Sequence, residues 1–160
     1  MVRIAEMDAK LAEFMLGYRW RGLGEIAPAR LRRSLDECRV ALISSAGMIA
    51  PGQKPYDQKV RGGDWTWREI AGDIDVATLT EHHNSKSFDH SGIEADRNMG
   101  MPLDRLRDLA ADGVTGRVAP RHASVMGSIT APGRFLRKTV LEIVETLTAD
   151  EVDVAIMVPV

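Results

Sequence analysis

Residues 39–45 read RVALISS: four apolar residues follow Arg39 without alternation, and the run closes on two serines. A strand with one wet face alternates apolar and polar side chains; an unbroken apolar run of this length suits a strand covered on both faces, as in a parallel sheet between helices. Residues 152–160, VDVAIMVPV, repeat the pattern at the other end of the chain. Two such strands so far apart in sequence predict an α/β fold built on a buried, mostly parallel sheet.

Working outward, 75–80 (DVATLT) and 117–126 (RVAPRHASVM) are further strand candidates, the latter interrupted by Pro120. Pro102 opens an amphipathic helix, LDRLRDLAAD, that Gly113 closes. Thr130 is the expected N-cap of a longer helix, RFLRKTVLEIVETLTAD. Residues 27–37 hold short helical turns, with Pro28 in a first turn, and Asp96 and Asn98 are expected to cap turns ahead of the Pro102 helix. At the N-terminus, Ile4, Met7, Leu11, Phe14 and Met15 form a stripe at helical spacing over 4–16, ended by Gly17, Gly22 and Gly24. The predicted organisation is an N-terminal helical segment, 1–35, and an α/β domain, 36–160. That domain is a Rossmann-like sheet with helices on both faces; the alternative is α+β with a small mixed sheet.

Composition narrows the function. The chain has 160 residues, 44% hydrophobic and 28% charged, with a net charge of -2. It lacks the basic field of a nucleic-acid binder, and Arg30, Arg32 and Arg33 read as a solvated helix face. No apolar run spans a bilayer and MVRIAEMDAK has no signal-peptide core, so a cytoplasmic protein without a membrane partner is expected. The single cysteine, Cys38, precedes the first strand and reads as a small buried hydrophobe. The eight methionines read as adaptable core filling.

In open parallel sheets, ligands bind beyond the carboxyl ends of the strands. The segments there are SSAGMIAPGQKPYD with GGDWTWRE, then EHHNSKSFDHSGIEADRN, then MGSITAPG. Ser44 and Ser45 close the first strand, and small hydroxyl residues at such a point cap loops or let a ligand approach. A hydrolase needs a GxSxG elbow, which is absent. His82, His83 and His90, with Asp89 and Asp96, lack any specific metal spacing, so no metal is expected. Arg68, beside Asp64, Trp65 and Trp67, could clamp a carboxylate through its guanidinium or pin its own loop to an aspartate.

The runs ALISSAG, PYDQK, GGDWTWREI, SFDHSGIEADRN, MPLDRL, HASVMGSI and VDVAIMVPV, in this order over residues 36–160, resemble the selenoprotein B subunits of the glycine, betaine, sarcosine and D-proline reductases. The layout is nearest the short D-proline type. The resemblance implies a reductase subunit acting with partner subunits, one carrying a pyruvoyl group that activates a small amino-acid-like substrate. It also implies a Sec-x-x-Cys or Cys-x-x-Cys motif directly after Val160, so no catalytic redox residue lies within 1–160. His83, His90 and His122 are then expected in support, with Ser44, Ser45, Gly47, Asp64, Arg68, Asp89, Ser124 and Met126 around the substrate.

A buried strand finishing VPV favours further chain beyond it over a C-terminal edge strand. The apolar surface that a missing half would bare predicts oligomerisation. The rival function is a ligand-binding or scaffold module of the same fold without the redox motif.

Overall fold

The computed structural model describes residues 8–18, 24–25, 27, 29–83 and 89–160. The chain separates into two compact units, Met1–Arg30 and Leu31–Val160. In the first, α1 (Ala9–Gly17) starts at Asp8, whose side chain accepts the N–H groups of Lys10 and Leu11. None of its residues is buried. The predicted contributions of Ile4, Met7, Gly22 and Pro28 lie outside the described residues.

The second unit is built around β1 (Arg39–Ser44). The strands are β2 (Met48–Ile49), β3 (Trp67–Ala71), β4 (Thr80–Glu81), β5 (Arg117–Val118), β6 (Arg121–Val125) and β7 (Val154–Val158). The helices are α2 (Ser91–Ala95), α3 (Leu103–Ala111) and α4 (Val140–Ala149). On one side β1 pairs in parallel with β7, from Val40↔Val154 to Ser44↔Val158. On its other side β1 pairs in parallel with β5 at its start and with β6 at its end. β3 adds to β6 as an antiparallel edge, and β2 and β4 form a separate antiparallel pair. The architecture is α/β with mostly parallel strands.

Alternation along β1 explains the layers. Val40 and Leu42 enter a core with Ile70, Leu103 and Leu106, so α3 covers that face. Ala41 faces the other way, into a core with Ala123, Ile143 and Leu147 beneath α4. Helices therefore flank both faces of the sheet, and β1 is buried from both.

Three local expectations are corrected. Residues 75–80 are not a strand: the Asp75 side chain accepts Ala77 N–H and turns the chain into a 3-10 helix, Val76–Thr78, leaving extended pairing only at Thr80–Glu81. Trp67–Ala71, read as a loop patch, is an edge strand on which only Ile70 is buried. Thr130 does not cap the long helix: helical residues begin at 133, and the opening is a wide π turn, Phe135–Thr139, continuous with α4. The caps ahead of α3 form as expected, with Asp96 accepting Asn98 N–H and the Asn98 side chain accepting Asp104 N–H.

Pro120 splits what would be one strand into β5 and β6. Opposite the gap, Leu42 N–H donates to Nδ1 of His122, at 2.9 Å. A side chain completes the ladder where proline interrupts it.

Candidate functional site at the carboxyl ends of the strands

The carboxyl ends of β1, β6 and β7 meet at Ser45. Its hydroxyl oxygen accepts Val160 N–H at 2.9 Å, and its carbonyl accepts Gly127 N–H at 2.9 Å. An apolar cavity of about 150 Å³ opens here between Ile43, Val125, Phe135, Met157, Val158 and Pro159. Ser44 lies below, fully buried, with its hydroxyl donating to the Gly100 carbonyl and accepting Ala46 N–H. That hydroxyl is committed to holding the turn.

Gly47 is where the next segment crosses. It has φ of 68°, and a Cβ there would lie 3.0 Å from His83 N. His82 N–H donates to the Gly47 carbonyl at 3.0 Å, so glycine permits the crossing both by its backbone conformation and by lacking a side chain. His83 is thereby set over the strand ends: a Cβ on Gly127 would meet His83 Nε2 at 3.1 Å and the Ser45 carbonyl at 3.1 Å. Burial pushes the His83 imidazole below its usual range; Glu81 opposes this and His90 adds to it. The Glu81 carboxylate accepts the backbone N–H of His83 at 3.2 Å and sits 2.8 Å from His90 Nδ1. Glu81, a residue that sequence reasoning passed over, thus contacts both His83 and His90. Asp89 is exposed and accepts Ser91 N–H, which with the Ser91 hydroxyl holds its carboxyl low.

Tyr56 is the other residue that was missed. It is buried, and its hydroxyl donates to the Ser124 carbonyl at 2.7 Å, with Ser124 Oγ at 3.3 Å. Burial pushes its phenol up to about 12, so it stays a donor. With Ile49 and Met126 it forms a small core under the loop. Its sequence signal was a single tyrosine in a loop rich in Gly and Pro, which marks a buried anchor but not its target.

Asp64 and Arg68 lie on the far side of Tyr56, lining a separate cavity of about 500 Å³ with Lys54, Asp57, Trp65 and Thr66. Burial would raise the Asp64 carboxyl, but hydrogen bonds from Thr66 and from Asp57 N–H hold it low. Arg68 donates to the carbonyls of Lys54, Pro55 and Trp67 and to Thr66 Oγ1, and stacks over the Tyr56 ring at 4.3 Å. It pins its own loop through carbonyl oxygens, with no aspartate partner among the described residues.

His122 lies inside the sheet, 1% exposed, with Nε2 unpartnered among the described residues. Burial, with Arg107 nearby, lowers its pKa to about 4. Of the residues expected around a substrate or in support, the structure gathers Ser45, Gly47 and His83 at the strand ends, with Ser44, Ser124 and Met126 immediately beneath. Asp64 and Arg68 form a neighbouring cavity, Asp89 and His90 the outer loop, and His122 the core.

Cys38 sits at the opposite end of β1 from Ser45, roughly 20 Å away along the strand. It is fully buried, donates to the Ser34 carbonyl, and burial together with Asp153 pushes its thiol up. These are the features of an inert structural thiol.

A model of the family "Glycine/sarcosine/betaine reductase selenoprotein B" matches residues 5–160. The chain belongs to this selenoprotein B family. Among curated relatives it is 28% identical over 125 residues to the D-proline reductase subunit gamma of Acetoanaerobium sticklandii, covering 78% of this chain and 50% of that protein. It is 25% identical over 126 residues to the glycine reductase complex component B subunit gamma of Symbiobacterium thermophilum, covering 78% of this chain and 29% of the relative. With the protein of the same description from Peptoclostridium acidaminophilum, identity is 24% over 147 residues, covering 91% and 33%. The chain therefore spans half the length of the first relative and about a third of the others. No solved structure matches it. Among the described residues no helix is long and apolar enough to cross a membrane.

Proposed function

We propose that the chain is the substrate-pocket half of a reductase subunit acting on glycine, betaine, sarcosine, D-proline or a related small molecule, and that a Sec-x-x-Cys or Cys-x-x-Cys pair follows Val160. The observation that carries this reading is the convergence at Ser45. The last strand reaches it hydrogen bonded through Val160 N–H, beside an apolar cavity and under the His83 imidazole. A residue directly after Val160 would enter the space where parallel strands present ligands.

In such a pair one chalcogenolate would attack the substrate carbon, forming a C–Se or C–S bond as the C–N bond breaks and the amine leaves with a proton. The second chalcogen would then attack the first, releasing the carbon fragment to take up a proton and closing a selenenylsulfide or disulfide that an external dithiol reduces, itself becoming a disulfide. The chain's own residues prepare that space. Ser45 fixes the path of residues 158–160 through its hydroxyl. Phe135, Val125 and Met157 give an apolar lining sized for a few carbon atoms. His83, held neutral near pH 7 by burial, is suited to accept a proton from a thiol or selenol brought beside it. Cys38 takes no part.

Partner subunits belong to the same reading, since the relatives are named as subunits of reductases. The apolar surface of β7 and α4, including Met157, Leu141 and Val144, is exposed and would be covered by further chain or by a partner.

The test begins with the codons after Val160: an in-frame sequence lacking any Sec/Cys-x-x-Cys would end the proposal. Given such a sequence, the full-length protein with its partner subunits should oxidise a dithiol only when substrate is added. His83→Gln should slow that turnover about 100-fold or more while leaving the fold intact; an unchanged rate removes His83 from the chemistry.

A further inference from the structure

Arg61, Arg134 and Arg137 line one surface cavity of about 410 Å³, with Val60, Gly63, Trp65, Ala131, Pro132 and Gly133. The fold brings them together by close backbone contact. Ala131 N–H donates to the Gly62 carbonyl at 3.1 Å. A Cβ on Gly62 would lie 2.5 Å from the Ala131 Cβ, and one on Gly63 2.5 Å from the Ser128 carbonyl oxygen. Both glycines have positive φ, 89° and 96°. Loop 60–63 is therefore pressed against 128–131, which sets Arg61 across from the helix bearing the other two arginines. Arg134 precedes the π turn and Arg137 lies within it, and both line the cavity. The Arg137 guanidinium folds back over Gly133, reaching 3.4 Å from where a Cβ would stand.

None of the ion pairs among the described residues involves these three arginines. Elsewhere in the unit, Arg33, Arg39, Arg105, Arg107 and Arg121 each have a carboxylate partner, and Arg68 and Arg97 are taken up by carbonyl oxygens. Arg32 and Arg117 share with the cavity arginines the lack of an ion pair among the described residues. The carboxylates on the segments around the cavity are already engaged. Asp57 accepts Lys59 N–H; Asp64 is held by Asp57 N–H and Thr66. Glu142 accepts the Trp67 indole N–H and pairs with Lys138, itself 5.1 Å from the Trp65 ring centre. Positive charge is concentrated here in a chain whose net charge is -2.

We infer that the cavity between Arg61, Arg134 and Arg137 is a docking site for an acidic segment of a partner polypeptide, presenting two or three carboxylates. Charge count and exposure favour this occupant. A monocarboxylate substrate would neutralise one of three guanidinium groups and leave the others in mutual repulsion. All three arginines are solvent-exposed, which suits a surface contact better than an enclosed small-ligand site. Planar guanidinium groups pair carboxylates through two hydrogen bonds each, and a tryptophan among arginines is the composition of an interface anchor. The inference needs a partner polypeptide but no redox step, so it stands or falls separately from the reading of the strand-end pocket.

The test uses a fluorescein-labelled hexaglutamate peptide and the whole chain, followed by fluorescence anisotropy. The triple variant Arg61→Gln/Arg134→Gln/Arg137→Gln should weaken binding roughly tenfold or more. The charge-matched triple Arg30→Gln/Arg32→Gln/Arg117→Gln should change it less than about twofold. Circular dichroism should report both variants folded, because the arginines exchanged in the cavity carry no internal ion pair. Equal weakening in the two triples would reduce the effect to net charge and overturn the inference. So would absence of peptide binding by the unmodified chain. Displacement of the peptide by inorganic phosphate at about 10 mM and constant ionic strength would also overturn it, by making the cavity a small-oxyanion site.

Discussion

β1 and β7 are neighbours with similar apolar sequences, yet they live in different surroundings. In β1, Val40, Ala41 and Leu42 are all but inaccessible; in β7, Ile156 is 41% and Met157 66% exposed. The two strands share five register pairs, so neither backbone nor apolarity distinguishes them. The difference is the number of flanks. β1 has β5 and β6 on one side and β7 on the other, with a helix layer on each face, whereas β7 has β1 alone among the described residues. An apolar run therefore reports what a strand is suited to, and neighbours decide how much of that is realised.

Substitutions along the two strands put the contrast to the test. Leu42→Ala, in the fully packed core, should cost about 2–5 kcal/mol in urea unfolding. A loss below about 1 kcal/mol would mean that β1 is less enclosed than its exposure indicates.

The gap in β1's ladder gives the next effect. His122 has a folded pKa of about 4 against an ordinary 6.5. Above pH 6.5 the ring is neutral in both states and the stability is fully present. As pH falls from 6.5 toward 4 the unfolded chain takes up a proton that the folded chain refuses, so stability drops by up to about 3 kcal/mol and levels off below. Between pH 6.5 and 5, before most carboxylates titrate, His122→Gln should flatten this slope; an unchanged slope would assign it to another group.

Tyr56→Phe, removing the hydroxyl that ties the 50–57 loop to the end of β6, should cost about 1–3 kcal/mol, read as a lowered denaturation midpoint. Smallest of all, Met157→Ala on β7 should shift the same midpoint by less than about 0.5 kcal/mol in the isolated chain. A larger cost would show that the outer face of β7 is already covered in solution, for instance by a second copy.

The sheet was legible wherever a pattern stood alone. RVALISS, RVAPRHASVM and VDVAIMVPV became β1, the β5–β6 pair and β7, because parallel strands announce themselves by apolarity and Pro120 marks its own break. Trp67–Ala71 was not legible as a strand, since an edge strand with one buried side chain offers no alternation to count. DVATLT misled because Asp75 captures a backbone N–H, a local bond that outweighs the β preference of Val and Thr. At the strand ends, Ser44 and Ser45 could be nominated from their position at the close of β1, whereas Gly47 and His83 came only with the family resemblance. The roles of Glu81 and Tyr56 could not be nominated, because each depends on a contact with a distant segment. For His122, expected in support of the chemistry, nothing in the sequence signalled that its Nδ1 accepts the Leu42 N–H inside the sheet.

The crossing of 82–83 over Gly47 has a consequence for how such a protein can change. The segment is fastened by main-chain bonds, His82 N–H to the Gly47 carbonyl and the β2–β4 pairing beside it. Beyond Gly47, only the Glu81 carboxylate, which accepts His83 N–H, adds a side chain to that fastening; the side chains of residues 82 and 83 are not part of it. A lineage could exchange those two side chains, and with them the chemistry offered over the strand ends, while the framework beneath stays as it was.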